Sequence, residues 1–168
     1  IGECEGARLP VPVFETAFAL AQLFEKHGVR QQSKITVVSP NPSGLIFNDP
    51  AVTLHINRAL ARHDIEYLPN FSINRLQKDF ATTDANHSLD YNLLMLLPPF
   101  AGAAAAALLG MTNEEGYINV DSTMRVSGFN RVYAVGDCVN FDGPKLGHMA
   151  IRQASVAAEN LAAEIEGA

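Results

Sequence analysis

The chain has 168 residues, 48% of them apolar and 18% charged, with a formal net charge of −6. This composition supports a packed core and argues against intrinsic disorder, while the acidic balance argues against a nucleic-acid partner, which needs clustered Lys and Arg. The two cysteines, Cys4 and Cys138, fit neither a zinc spacing nor a secreted disulfide scaffold, so no metal is expected and a reducing, cytoplasmic location is.

No run reaches the roughly 18 apolar residues of a membrane-spanning helix, and no signal peptide opens the chain. The chain starts at Ile1 and enters a glycine turn at once, so Ile1–Gly2 reads as the tail of a strand and the chain as truncated upstream. After a turn over residues 2–9, Pro10 to His27 reads as a helix, with Val13, Ala17, Leu20 and Phe24 three or four apart. Pro12 suits its first turn and Gly28 its stop. Lys34 to Ser39 is a buried strand, completing a βαβ unit. Pro50 to His63 is a second helix, with Leu54, Ile56, Leu60 and Ala61 as its apolar side, and Ile65 to Leu68 the next strand. An antiparallel meander is expected over residues 72–89, turning near Asp84, Ala85 and Asn86.

Tyr91 to Leu97 is nearly all apolar and reads as a central parallel strand buried on both faces. A short helix from Ala101 to Leu109 follows, ending at Gly110. Tyr117–Val120 and Val132–Val135 are further short strands, and Leu146 to Ile165 is a long Ala-rich helix. The fold class is therefore α/β: a Rossmann-like parallel sheet with an antiparallel meander over residues 1–100, and a smaller strand–strand–helix segment over 101–168.

The strand Val132–Val135 runs into Gly136-Asp137. A strand end of this kind delivers a backbone turn and one carboxylate to the edge of a sheet, where ligands bind in open α/β folds. Glycine permits close backbone approach, and the carboxylate accepts hydrogen bonds from hydroxyls. A Gly-Asp dipeptide alone is most often a plain turn. Its setting adds meaning: Gly116 to Asp121, Arg125-Val126 and the strand precede it, and the helix from Leu146 follows.

That ordering resembles the second FAD-binding segment of the pyridine nucleotide-disulfide oxidoreductase superfamily, and the preceding α/β part resembles its nicotinamide-type domain. The resemblance implies an FAD-dependent enzyme. In it Gly136 and Asp137 meet the flavin's ribityl chain, and Gly147, at the start of the last helix, faces the flavin. The pyrophosphate-binding turn for FAD would lie upstream of Ile1, leaving the FAD site incomplete and the chain alone inactive.

A dinucleotide site after a first strand wants G-x-G-x-x-G, whose glycines allow a tight turn and close approach of pyrophosphate. Here the stretch is Gly2-Glu3-Cys4-Glu5-Gly6-Ala7. Cys4 and Ala7 replace glycines, and Glu3 and Glu5 add negative charge where phosphates belong. The second strand ends in Ser39-Pro40 without the carboxylate that ribose hydroxyls need, so NAD(P)H is not expected as a ligand. Within the superfamily, the sulfide:quinone oxidoreductase and flavocytochrome c sulfide dehydrogenase branch does without NADH, and this chain resembles that branch around Cys4 and around Cys138. The resemblance implies that both are redox cysteines approaching one flavin face, with sulfide or a related small sulfur compound as donor and quinone as acceptor. A thiolate so placed can attack a disulfide or hold a persulfide.

Residues 144–149 also resemble the segment opening the helix under the flavin. Lys145 there would stabilise a reduced, anionic ring, and Gln153 would border the quinone pocket. His148 reads more simply as a helix-start residue without chemistry. The same resemblance implies peripheral association with the inner face of a membrane through segments beyond this chain, and leaves room for a homo-oligomer. Two other readings stand beside it: a type II NADH dehydrogenase-like NAD(P)H oxidoreductase, and a non-catalytic nucleotide-binding or interaction module.

Overall fold

A computed structural model describes residues 1–7, 9–42, 49–85, 87–143 and 145–167. They form two compact units, Ile1–Phe100 and Ala101–Ala168.

The first unit is a four-stranded parallel sheet, ordered β3-β2-β1-β7, with a separate antiparallel meander β4-β5-β6. β1 (Gly2–Glu3) is only two residues long, yet it lies between β2 (Ile35–Val38) and β7 (Leu96–Leu97) and pairs with both. It can do so because residue 2 is glycine. A Cβ there would lie 2.3 Å from Val38 Cγ2 and 2.8 Å from the Val38 carbonyl oxygen, closer than real contacts allow.

α1 (Val11–Lys26) buries Val13, Phe14, Ala17 and Ala21, and α2 (Pro50–Arg62) buries Thr53 and Leu60. With Ile35, Val37 and Ile65 (the last from β3, Ile65–Leu68), the apolar members make one core. α1 ends in a Schellman motif: the Val29 N–H donates to the Phe24 carbonyl and the Gly28 N–H to that of Glu25, with Gly28 left-handed at φ +70°. Asp49 caps α2 by accepting from the N–H groups of Ala51 and Val52. The buried Arg30 guanidinium donates to the carbonyls of Ser33, His63 and Asp64, fastening the loop after α1 to the negative end of α2.

The meander consists of β4 (Ile73–Leu76), β5 (Phe80–Thr83) and β6 (Ser88–Asp90), with an irregularity between Ile73 and Arg75. The expected turn is closed by the Thr83 N–H donating to the His87 carbonyl; Asn86 lies outside the described residues.

Four expectations are corrected. Tyr91–Leu97 is not a central strand: only Leu96–Leu97 pairs, at the sheet edge, and Leu93 is 70% exposed. β1 offers too short a ladder to extend the pairing. On α2, Leu54 is 49% exposed, because the inward positions are Thr53, Ile56 and Leu60. In the second unit, the helix expected from Ala101 to Leu109 is confined to α3 (Ala104–Ala107), and Tyr117–Val120 and Val132–Val135 make isolated bridges rather than strands. Those bridges are Thr112–Ile118, Ile118–Val139, Val120–Val126 and Arg125–Tyr133. Tight turns break up the ladders: Asp121 accepts from the N–H groups of Thr123 and Arg125, and Met124 and Arg131 take left-handed backbone.

The second unit packs Ala106, Ile118, Val126, Ala134 and Val139 into a small core against which α4 (Gly147–Glu166) is tied. Glu164 near the end of α4 accepts from Arg125 at 2.8 Å and from the Tyr133 hydroxyl at 2.9 Å.

Candidate functional site

Parallel strands bring their C-terminal ends to one edge of the sheet. In the first unit that edge carries Cys4 after β1, Ser39 after β2 and Tyr67 near the end of β3. The Cys4 N–H donates to the Leu97 carbonyl, and the Ala7 N–H donates to the Cys4 carbonyl, so residues 4–7 form a closed turn with Gly6 at φ +83°. Cys4 is half-buried and a free thiol. Ala7 is 1% exposed, so the position that would be the third glycine packs in the interior.

Glu3 departs from its expected placement. Its side chain does not extend from the turn; it is 3% exposed and lies toward the end of β2. There Oε1 accepts from the Ser39 hydroxyl at 2.9 Å and from the Asn41 amide at 3.0 Å. Oε2 is buried with no hydrogen-bond partner among the described residues. Burial pushes the Tyr67 phenol above its ordinary pKa; a hydrogen bond with Ser39 opposes this and the Glu3 carboxylate adds to it. Glu5 remains exposed and accepts from the Ser72 hydroxyl.

In the second unit, residues Gly136–Cys138 form a single 3₁₀ turn, entered through Gly136 in left-handed backbone at φ +81°. Side chains pin this turn on both sides. The Gly136 N–H donates to Gln153 Oε1 at 2.7 Å. The Lys145 ammonium donates to the carbonyls of Asp137 and Val139, both at 2.9 Å, and sits 4.3 Å from the centre of the Tyr117 ring. The Cys138 thiol, free and half-buried, donates to the Val135 carbonyl at 3.3 Å.

Gln153 is the buried residue of α4. Its amide oxygen supports the turn, whereas the sequence suggested a residue lining a quinone pocket. The signal was present: a glutamine in the second turn of an Ala-rich helix that follows a glycine whose N–H needs an acceptor. His148 is exposed at the helix start, and Pro144 lies outside the described residues.

The Asp137 side chain is exposed on a turn whose Gly136 N–H and whose Asp137 and Val139 carbonyls are already bonded. α4 starts without a side-chain cap, so its first N–H groups and positive dipole end are available to an electron-rich group. A Cβ on Gly147 would meet no neighbouring atom within 4 Å, so the space beside the helix start is open. Gly136, Asp137 and Gly147, the residues the sequence singled out for a cofactor, thus lie in this turn and at this helix start. No helix among the described residues is long and apolar enough to cross a membrane.

Comparison with known proteins identifies the family. The family model for pyridine nucleotide-disulphide oxidoreductase matches residues 15–154. The chain is 25% identical over 108 residues to ferroptosis suppressor protein 1 of Taeniopygia guttata, covering 62% of this chain and 29% of that protein. It is 38% identical over 55 residues to apoptosis-inducing factor homolog B of Dictyostelium discoideum, covering 33% of this chain and 14% of that protein. Among solved structures, the sulfide:quinone oxidoreductase from the hyperthermophilic bacterium Aquifex aeolicus matches with a TM-score of 0.89 at 19% identity, covering 99% of this chain and 43% of that one. At that identity the likeness is one of fold. The chain spans less than half the length of each of these proteins.

Proposed function

Because the chain belongs to the pyridine nucleotide-disulphide oxidoreductase family, we propose that it serves an FAD-dependent oxidoreductase that oxidises sulfide or a related small sulfur compound and passes the electrons to a quinone. FAD, when bound, supplies the two-electron relay between donor and acceptor. The observation that carries the flavin reading is the Gly136–Cys138 turn, fixed by Gln153 and Lys145 and leaving the Asp137 carboxylate outward beside the open start of α4. Asp137 would accept hydrogen bonds from flavin hydroxyls. The helix start would favour negative charge on the ring, and Lys145, near its first turn, would add to that field. Cys4 and Cys138 are the thiols assigned to sulfur uptake. Peripheral placement at the inner face of a membrane accords with a quinone acceptor.

Support for a donor other than NAD(P)H comes from the first unit, where Ala7 is packed inside and Glu3 fills the end of β2. The deciding experiment is sulfide-dependent quinone reduction by the FAD-loaded full-length protein. Cys4→Ser and Cys138→Ser should each abolish it with FAD retained, while Asp137→Ala should weaken FAD retention. Near-normal activity in both cysteine variants would end the sulfur reading. Micromolar binding of NADH in calorimetry would favour the NADH dehydrogenase-like reading instead.

A further inference from the structure

We infer that Glu3 is a built-in occupant of the dinucleotide crevice: its carboxylate fills the end of β2 where a ribose would be read, and its removal opens that edge to an adenine dinucleotide. The inference deepens the reading that NAD(P)H is not the donor and rests on it. In open α/β sheets the ligand lies across the C-terminal ends of the strands, with its ribose hydroxyls bonded at the end of the second strand. Among the described residues, Ser39 and Asn41 are polar groups at that end, and both donate to Glu3 Oε1. The donors that a ligand would use are thus already engaged by a carboxylate from the neighbouring strand.

Burial argues the same way. A side chain 3% exposed is out of reach of solvent, so it does not present an acceptor to an arriving hydroxyl. Its second oxygen is buried without a partner among the described residues, a disposition that costs free energy. An apolar residue or a glycine would avoid that cost. The retained carboxylate therefore does something packing does not require. Closure is thus steric, with the hydrogen-bonding groups at the strand end already taken.

The test is calorimetric titration of the full-length protein with NADH and, separately, with ADP-ribose. The wild type should give no saturable binding at micromolar ligand. Glu3→Gly should bind both at least about tenfold more tightly than the wild type, a gain of about 1.4 kcal/mol. Glu3→Ser, which keeps a polar group at the strand end, should gain in the same direction. Both variants should also bring the alkaline absorbance titration of Tyr67 to lower pH, because a raising charge has been removed.

A wild type that binds NADH tightly would overturn the donor reading and this inference together. A wild type that does not bind, joined by folded variants that gain nothing, would overturn the inference and leave the donor reading standing. Loss of folding in both variants would make Glu3 a structural residue and overturn it as well.

Discussion

Each unit carries a turn at the end of an apolar stretch, and the two are held in opposite ways. In the first, residues 4–7 are closed by backbone hydrogen bonds, and the neighbouring carboxylate of Glu3 is turned inward against Ser39 and Asn41. In the second, Gln153 and Lys145 reach in to hold the backbone of Gly136–Val139, and the carboxylate of Asp137 is left outward. Two turns thus differ in which groups are satisfied internally. One has directed its acid to itself; the other has satisfied its backbone and left its acid for something else.

The largest expected effect separates the two units. Val37 is fully buried in the first core, so Val37→Ala should destabilise that unit by about 2–3 kcal/mol through lost transfer energy and a residual cavity. Native-state hydrogen exchange should show the loss in β2 and β3 while the amide of Val139 keeps its protection. Equal loss at Val139 would mean that the units unfold as one.

Gln153→Leu should cost about 2 kcal/mol, since it leaves the Gly136 N–H without its acceptor. Gln153→Glu, which keeps an acceptor oxygen, should recover most of the loss. Denaturant midpoints measure both, and an unchanged midpoint in the leucine variant would refute the pinning of the turn. Lys145→Met should cost less, about 1 kcal/mol, because the ammonium is only part-buried and water can replace it at the two carbonyls. Its clearest reading is faster exchange of the Asn140 amide, with little change if Lys145 serves only as a distant charge.

The smallest effects are on pH dependence. Tyr67 has a raised pKa, so its contribution is fully present below the ordinary phenol value near 10 and is lost as pH rises through the higher folded value. Glu66 is held below its ordinary value chiefly by Lys34, with Thr36 assisting and burial opposing. Its contribution is present above about pH 4.5 and fades as pH falls through the lower folded value. The Lys34–Glu66 pair is solvent-exposed, so the acid effect should be near the limit of detection in thermal melts and should vanish in high salt.

The first unit was largely legible in the sequence. Helices and strands followed from apolar spacing, from start signals at Pro12 and Pro50 and from the stop at Gly28, and the observed spans differ from the expected ones by a residue or so at each end. Tyr91–Leu97 misled because an apolar run reports a wish for burial, not a partner; only two residues find a strand to pair with. The second unit was less legible because its chain reverses through Asp121, Met124 and Arg131 too often for ladders to extend. At the site, the strand-end glycine and aspartate could be read directly. The inward turn of Glu3 could not, since alternation along two residues of β1 leaves its direction open until Ser39 and Asn41 are seen beside it.

Gly2 has a consequence for how this chain can vary. The contact between β1 and β2 leaves no volume for a side chain at that position, since both the Val38 methyl and the Val38 carbonyl oxygen stand in its way. In a saturation library scored for folded yield, position 2 should accept glycine alone, alanine included among the losses, while exposed positions of β4 such as Asn74 and Arg75 accept most residues. A strand of two residues would thus hold the sheet's least mutable point, and drift in the neighbouring turn would have to proceed around it.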